Sequence, residues 1–314
     1  MFSEAIEAII FLVSPLAFTM MTANMLALLP TTTACGALKE AITPDMGVAV
    51  AGGKGRASRA VVEDIPKKAE HFGLDPERLL KASFLSAKVD SSCIQDGHQL
   101  YHHSFFFDEK GDWAVVQQGM DPKRGYARRY HWLNASDFVH DPPDRIAGVE
   151  RPEVLNLVSA ESDEARKISI DLVKDNPLRL RKFFTGQTTL FDDHHSLPAR
   201  HEILGRDLTP RDWKLLHDAY ELQPRDYEEL LCLRGMGGKK LRALALLAKL
   251  IHGSPLDWKD PVKYSFAHGG KDGIPYPVDR SSYASSISFL RDILTESASR
   301  DKDRALRCLA RHFR

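Results

Sequence analysis

The chain has 314 residues, enough to bury a sizeable core and to divide into about two domains. Its 43 Lys and Arg balance 43 Asp and Glu, so no global basic field draws it to a polyanion, and any such partner must be held by a local patch. Cys35, Cys93, Cys232 and Cys308 lie far apart with no CxxC pair. That pattern excludes a structural zinc site, an iron–sulfur cluster and a secreted disulfide framework, and it fits a reducing cytoplasm.

Residues 8–29 carry no charge and are long enough to span a bilayer, yet Glu4 and Glu7 precede the run and Pro15 interrupts it. A membrane anchor, a buried helix and a start that does not belong to the domain all remain open for residues 1–30. Residues 31–150 read as a mixed α+β domain. An apolar stretch, Met46 to Ala51, meets the loop Gly52-Gly53-Lys54-Gly55-Arg56, followed by a polar helix from Val62 to Phe72. A second helix, Asp75 to Leu85, has Pro76 at its first turn. Two strands, Gln99 to Phe107 and Trp113 to Gly119, flank Asp108-Glu109-Lys110-Gly111, a hairpin signal. Tyr126 to Leu133 adds a third strand or begins a helix. Residues 151–208 open with an amphipathic helix over 153–175 and continue as a polar linker that includes His194 and His195, which have no assigned role. Residues 209–314 read as almost wholly helical, with Thr209 as an N-cap and Pro210 at the first position.

The segment with the clearest physical task is LLCLRGMGGKKLRALALLAKL, residues 230–250. Gly235, Gly237 and Gly238 let successive backbone N–H groups converge, and a helix beginning there adds its unpaired donors and positive dipole end. Lys239, Lys240 and Arg242 add full charges where cations are disfavoured unless an anion arrives. The pattern predicts a grip on phosphate oxygens of a DNA backbone. An ordinary helix pair with solvated lysines is the alternative.

Other candidates are weaker. Lys54 and Arg56 in the glycine loop could touch a second phosphate, although the spacing is not that of a nucleotide-triphosphate loop. Arg128 and Arg129, interleaved with Tyr130, His131 and Trp132, read as DNA contacts or as a solvated edge. If the first hairpin strand stays extended back to residue 96, then Asp96, His98 and His102 share a face and could hold a divalent metal for phosphodiester cleavage. The alternative is that His102 and His103 are half-buried strand residues beside Tyr101 and Phe105.

The segments CGALKEAI, VAVAGGKGRASR, LSAKVD, QDGHQLYHHSFFFDEKGDWAVVQQGM, ARRYHW and KYSFAHGGKDGIPYPVDR resemble, over residues 31–295, an archaeal and bacterial family of unknown function, domain-of-unknown-function family 763. Members of that family begin with a further segment ahead of the position of Thr32, where residues 1–30 stand here. The resemblance implies no activity.

Residues 212–290 resemble, more distantly, the core of the helix-hairpin-helix DNA glycosylases. That resemblance implies a catalytic aspartate in a P-V-D stretch, here Pro277-Val278-Asp279, and in bifunctional members a nucleophilic lysine at the position of Lys239. Asp279 would stabilise positive charge on the sugar of a flipped nucleotide, and Lys239 would attack C1′. A departure is the spacing of 40 residues between them, about double the usual separation, which also leaves Asp279 readable as a simple helix cap. The extra stretch contains Lys263 to Lys271. The sequence thus predicts a DNA-binding protein, a repair enzyme of the glycosylase or glycosylase-lyase type, needing DNA as partner and no small-molecule cofactor. The rivals are a metal-dependent nuclease and a non-catalytic DNA-binding module.

Overall fold

The computed structural model describes residues 31–140, 145–176 and 210–262. The apolar run before Thr31, the linker histidines His194 and His195, Thr209, the stretch Lys263 to Lys271, Asp279 and Cys308 lie outside the described residues.

The centre is a sheet of β1 (Val48–Lys54), β3 (Gln99–Asp108), β4 (Trp113–Asp121), β5 (Tyr126–Leu133) and β6 (Arg145–Ala147) in the order β1-β3-β4-β5-β6, antiparallel throughout. Asp108 makes the predicted hairpin: its carboxylate accepts from the N–H groups of Lys110 and Asp112, and Gly111 supplies the positive φ of 82°. YARRYHWL therefore resolves as the strand β5.

One face of the sheet is covered by α1 (Thr31–Ala41), whose Cys35 and Leu38 bury Val48, Val50, Phe106, Ala114 and Val116. The opposite face receives α2 (Val61–Phe72), α3 (Pro76–Lys88) and a π-helical turn, Val89–Cys93. Asp75 caps α3 by accepting from Glu77 N–H at 3.0 Å, with Pro76 at the first position as its φ requires. Behind these lie α4 (Asp163–Lys174), α5 (Pro210–Leu222), α6 (Tyr227–Cys232) and α7 (Gly238–His252). A single buried cluster runs from Ala49 and Phe105 through Leu85 to Leu230, Met236 and Leu247, so sheet and helices share one core.

The helix expected over 153–175 starts late. Val154, Leu155, Leu157 and Val158 are all buried, a run with no polar side to give to solvent. Instead β7 (Leu155–Asn156) pairs with β2 (Ile94–Gln95), and the N–H groups of Val154 and Asn156 donate to the carbonyls of Trp258 and Asp257. This lacing fastens the chain beyond α7 to the sheet layer. Among the described residues no helix is long and apolar enough to cross a membrane.

Candidate nucleic-acid interface

Two short helices and a tight bend form the hairpin. Asp226 caps α6 by accepting from Glu229 N–H at 2.8 Å, and Arg225 clamps the Glu229 carboxylate from outside. The bend turns at Gly235, where φ is 91°, and Met236 drops into the core. The N–H of Met236 is spent on Leu233 and that of Lys240 on Gly237. Among the described residues no backbone acceptor meets the N–H groups of Gly237, Gly238 or Lys239, as expected at a helix start without a cap. Gly237 has an extended backbone, φ −114°, and a Cβ built on it would meet nothing within 4 Å among the described residues. Its flank is therefore open. The flank of Gly238 is not: Ser92 of the π-helical turn lies against it, and Gln95 Nε2 donates to its carbonyl at 2.8 Å.

The cations divide. Lys239 is exposed and Lys240 half-buried with contacts of its own. Arg242 is fully buried and is no surface contact, because α7 is enclosed on all sides from Leu241 to Ala248 and offers that position no route to solvent. Lys88, at the end of α3, brings a further cation whose charge is felt at Lys240. Burial, and behind it that like charge, lowers the Lys88 pKa, while its ammonium lies 5.8 Å from the centre of the exposed Phe84 ring. In the sequence Lys88 and Asp90 stand just upstream of the candidate metal residues; Lys88 comes near the hairpin because the π-helical turn packs on α7.

Arg128 is not a DNA contact either. It is fully buried and bidentate to Asp260, at 2.9 and 2.6 Å, with a further bond to Asp96 at 3.0 Å and one to the Val149 carbonyl. Arg129, on the opposite face of the sheet, is half-buried; burial lowers its pKa to about 10. Lys54 and Arg56 are exposed at the end of the edge strand β1 and just after it. Gly52 and Gly53 lie within that strand, paired with Ser104 and His103, so this is no free-standing phosphate loop.

The proposed metal triad is taken apart by a bulge. Leu100 pairs with Gly119 and His102 with Gln118, leaving Tyr101 extra, which reverses the alternation. His98 stays with Tyr130 on the helical side, while His102 faces the α1 side next to Ser104. Asp96 is already saturated by Arg128, the Tyr130 hydroxyl at 2.5 Å and His98. Among the described residues no group of three or more His, Cys, Asp or Glu is placed to hold a metal.

A buried relay lies beside Asp96. Ser83 Oγ and His103 Nε2 are 2.8 Å apart, His103 Nδ1 lies 3.0 Å from Gln117 Oε1, and Gln117 Nε2 donates to Asp90 at 2.5 Å. Trp132 Nε1 donates to the same Asp90 oxygen. With the Gln117 amide so oriented, His103 carries its proton on Nδ1, and burial holds its pKa down to about 4. Burial pushes the Asp90 carboxyl well above its usual range, and the charge of Asp96 adds to the rise. Burial alone would raise Asp96 too, but the His98 hydrogen bond and the Arg128 charge hold it far below that range.

These two shifts set opposite pH limits on stability. The depressed Asp96 contributes stability that is full above the unfolded carboxylate pKa, ~3.9, and is lost as pH falls through the folded value. The raised Asp90 retains its proton in the fold after the unfolded chain has released it, so its contribution declines as pH rises from ~3.9 through the folded value. Asp90→Asn keeps an acceptor for Gln117 and Trp132, and it is expected to flatten the decline on the alkaline side. Urea unfolding midpoints across pH 4 to 9 test this; an unchanged profile would refute the assignment.

The family profile described as "Protein of unknown function (DUF763)" matches residues 30–278, most of the chain. The chain belongs to this family. No curated protein and no solved structure matches it. The family match begins at the front of α1 and takes in the whole sheet, the relay and the hairpin; it assigns none of them an activity.

Proposed function

We propose that the chain is a DNA-binding protein that grips the phosphate backbone at the α6–α7 hairpin. The observation that carries this is the bend itself: three backbone donors at Gly237 to Lys239 without an acceptor among the described residues, with the flank of Gly237 open beside exposed Lys239. Such a bend meets an anion with oriented dipoles and a full charge together. Lys240 and Lys88 extend the positive surface. Nothing in this geometry reads bases, so binding should be independent of sequence and steeply weakened by salt.

The finer reading is a repair enzyme of the glycosylase or glycosylase-lyase type. It is supported by the resemblance of residues 212–290 and by the exposed position of Lys239 on the first turn of α7, where an amine could reach a sugar carbon of bound DNA. Asp279 would supply the stabilising carboxylate.

Gly237→Ala is the sharpest test, since the added methyl enters the space a phosphate would fill and touches nothing of the protein. Binding of a fluorescent duplex in low salt is expected to weaken by tenfold or more. Lys239→Met should lower the slope of log affinity against log salt by about one contact, roughly 0.9. If Gly237→Ala binds like the natural protein, the hairpin is not the interface. Borohydride trapping on an abasic duplex separates the chemistries. An adduct lost in Lys239→Met identifies a lyase, whereas binding without an adduct leaves a glycosylase without lyase action or a non-catalytic module.

A further inference from the structure

We propose that the polar half of the α1 face of the sheet is a binding site for a phosphate-bearing ligand, held by Lys54, His102, Gln118 and Arg129 from four adjacent strands. The proposal does not rest on the hairpin. Lys54 stands opposite His102, His102 opposite Gln118, and Gln118 opposite Arg129, so the four form one cross-strand row on a single face. The neighbouring row is Gly52, Ser104, Val116 and His131, and the next is Val50, Phe106, Ala114 and Leu133. The face therefore changes from apolar, under α1, to polar within two residues along every strand.

Two buried atoms in the row lack any partner among the described residues. His102 is 1% exposed and its Nδ1 makes no hydrogen bond; the same holds for the buried Oε1 of Gln118. Buried polar groups are nearly always paired, so two orphans side by side on neighbouring strands point to a missing partner. The argument rests on this pair, because Arg129 and His131 have other contacts as well.

The charges and polar groups of the row bear on what the partner is. Ser104 Oγ lies 3.1 Å from His102 Nε2, and burial pushes the pKa of the Cys35 thiol on the same face up to about 12. Burial, then the neighbouring His103 and Lys54, hold the His102 pKa down to about 4, so the ring is neutral, and when the Ser104 hydroxyl donates to Nε2 its one N–H is at Nδ1. In that tautomer Nδ1 is a donor without an acceptor among the described residues. Gln118 can turn its amide to present N–H₂ there, and the row is flanked by the Lys54 ammonium and the Arg129 guanidinium. Neither polar row contains a carboxylate, so the site suits an anion and not a cation. Three interstrand steps make it ~14 Å long, more than one oxyanion fills, which favours a ligand with more than one phosphate.

Such phosphates belong to a free polyphosphate or nucleotide, or to a nucleic-acid strand. Calorimetric titration of the full chain in low salt with pyrophosphate, and separately with a short oligodeoxythymidylate, distinguishes them. At least one should bind. Lys54→Met and Gln118→Leu should each weaken that binding tenfold or more, while Lys167→Met, an equal charge change on α4, should not. The imidazole nitrogen resonances of His102 should shift on addition of the probe that binds. Gly237→Ala, run alongside, assigns any oligonucleotide signal lost there to the hairpin. Failure of both probes to bind, or binding indifferent to Lys54→Met and Gln118→Leu, overturns the proposal.

Discussion

Arg128→Met is expected to destabilise the protein by about 3–5 kcal/mol, the range for removing one member of a buried ion pair. The guanidinium holds two carboxylates that solvent cannot reach: the side chains of Asp96 and Asp260 are 1% and 0% exposed. Without it Asp96 retains Tyr130 and His98, and Asp260 retains the N–H groups of Arg151 and Val262, yet neither keeps a lysine or arginine partner within bonding distance among the described residues. The damage should extend beyond one residue, because Asp260 follows the strip Asp257 to Trp258 that laces the helical layer to β7. Arg128→Met/Asp260→Asn should recover part of the loss, since one of the stranded charges goes with it. Urea denaturation gives both numbers. A single-variant change below about 0.5 kcal/mol would show that the pair is solvated in solution.

The pieces of this fold that a reader of the sequence can find are those set by neighbours along the chain. The Asp108 hairpin, the Asp75-Pro76 helix start and the Gly235 bend each depend on two to five consecutive residues, and each stands where the pattern puts it. What depends on a residue's opposite number does not show. A solvated or DNA-facing edge is a reasonable reading of two consecutive arginines in YARRYHWL. In a strand, however, they point to opposite faces, and Arg128 meets Asp96, 32 positions earlier, and Asp260, 132 positions later. Arg242 misleads for a related reason: its helix is enclosed on every side, which three or four apolar positions per two turns do not reveal.

The bulge at Tyr101 is the most instructive case. Strict alternation places His98 and His102 together, and one extra residue places the sheet between them. In exchange, His102 joins Lys54, Gln118 and Arg129, a set scattered over 76 positions that no spacing rule would assemble. The hairpin and this row face different surroundings, one at a helix start among lysines, the other beneath a sheet face. A nucleic-acid enzyme needs both a place to hold the backbone and a place to hold the reacting nucleotide, and the two sites can be probed independently.

Gly52→Ala is expected to cost more than about 4 kcal/mol or to abolish soluble expression, beyond the usual range of single substitutions. A Cβ at this position would lie 2.3 Å from the His103 carbonyl oxygen and 2.8 Å from Val61 Cγ1, and φ is +85°, where a side chain is strained by about 1–3 kcal/mol before any clash. Neither obstacle can step aside cheaply. The carbonyl belongs to the neighbouring strand of the ladder, and Val61 opens α2. The backbone of Gly52 is also pinned from both ends: its carbonyl accepts from Lys39 Nζ at 2.7 Å, and its N–H donates to Asp64 at 3.2 Å. Lys39 and Asp64 are themselves paired at 2.8 Å, tying α1 to α2 through this one residue. Gly237→Ala is the matched contrast, with φ −114° and open space around the new methyl, and should cost about 1 kcal/mol or less as a change of N-cap residue. A Gly52→Ala protein within about 1 kcal/mol of the natural one in urea would mean that β1 sits farther from β3 than its register implies. The tie between Lys39, Asp64 and the strand would then not be what holds Lys54 in line with His102.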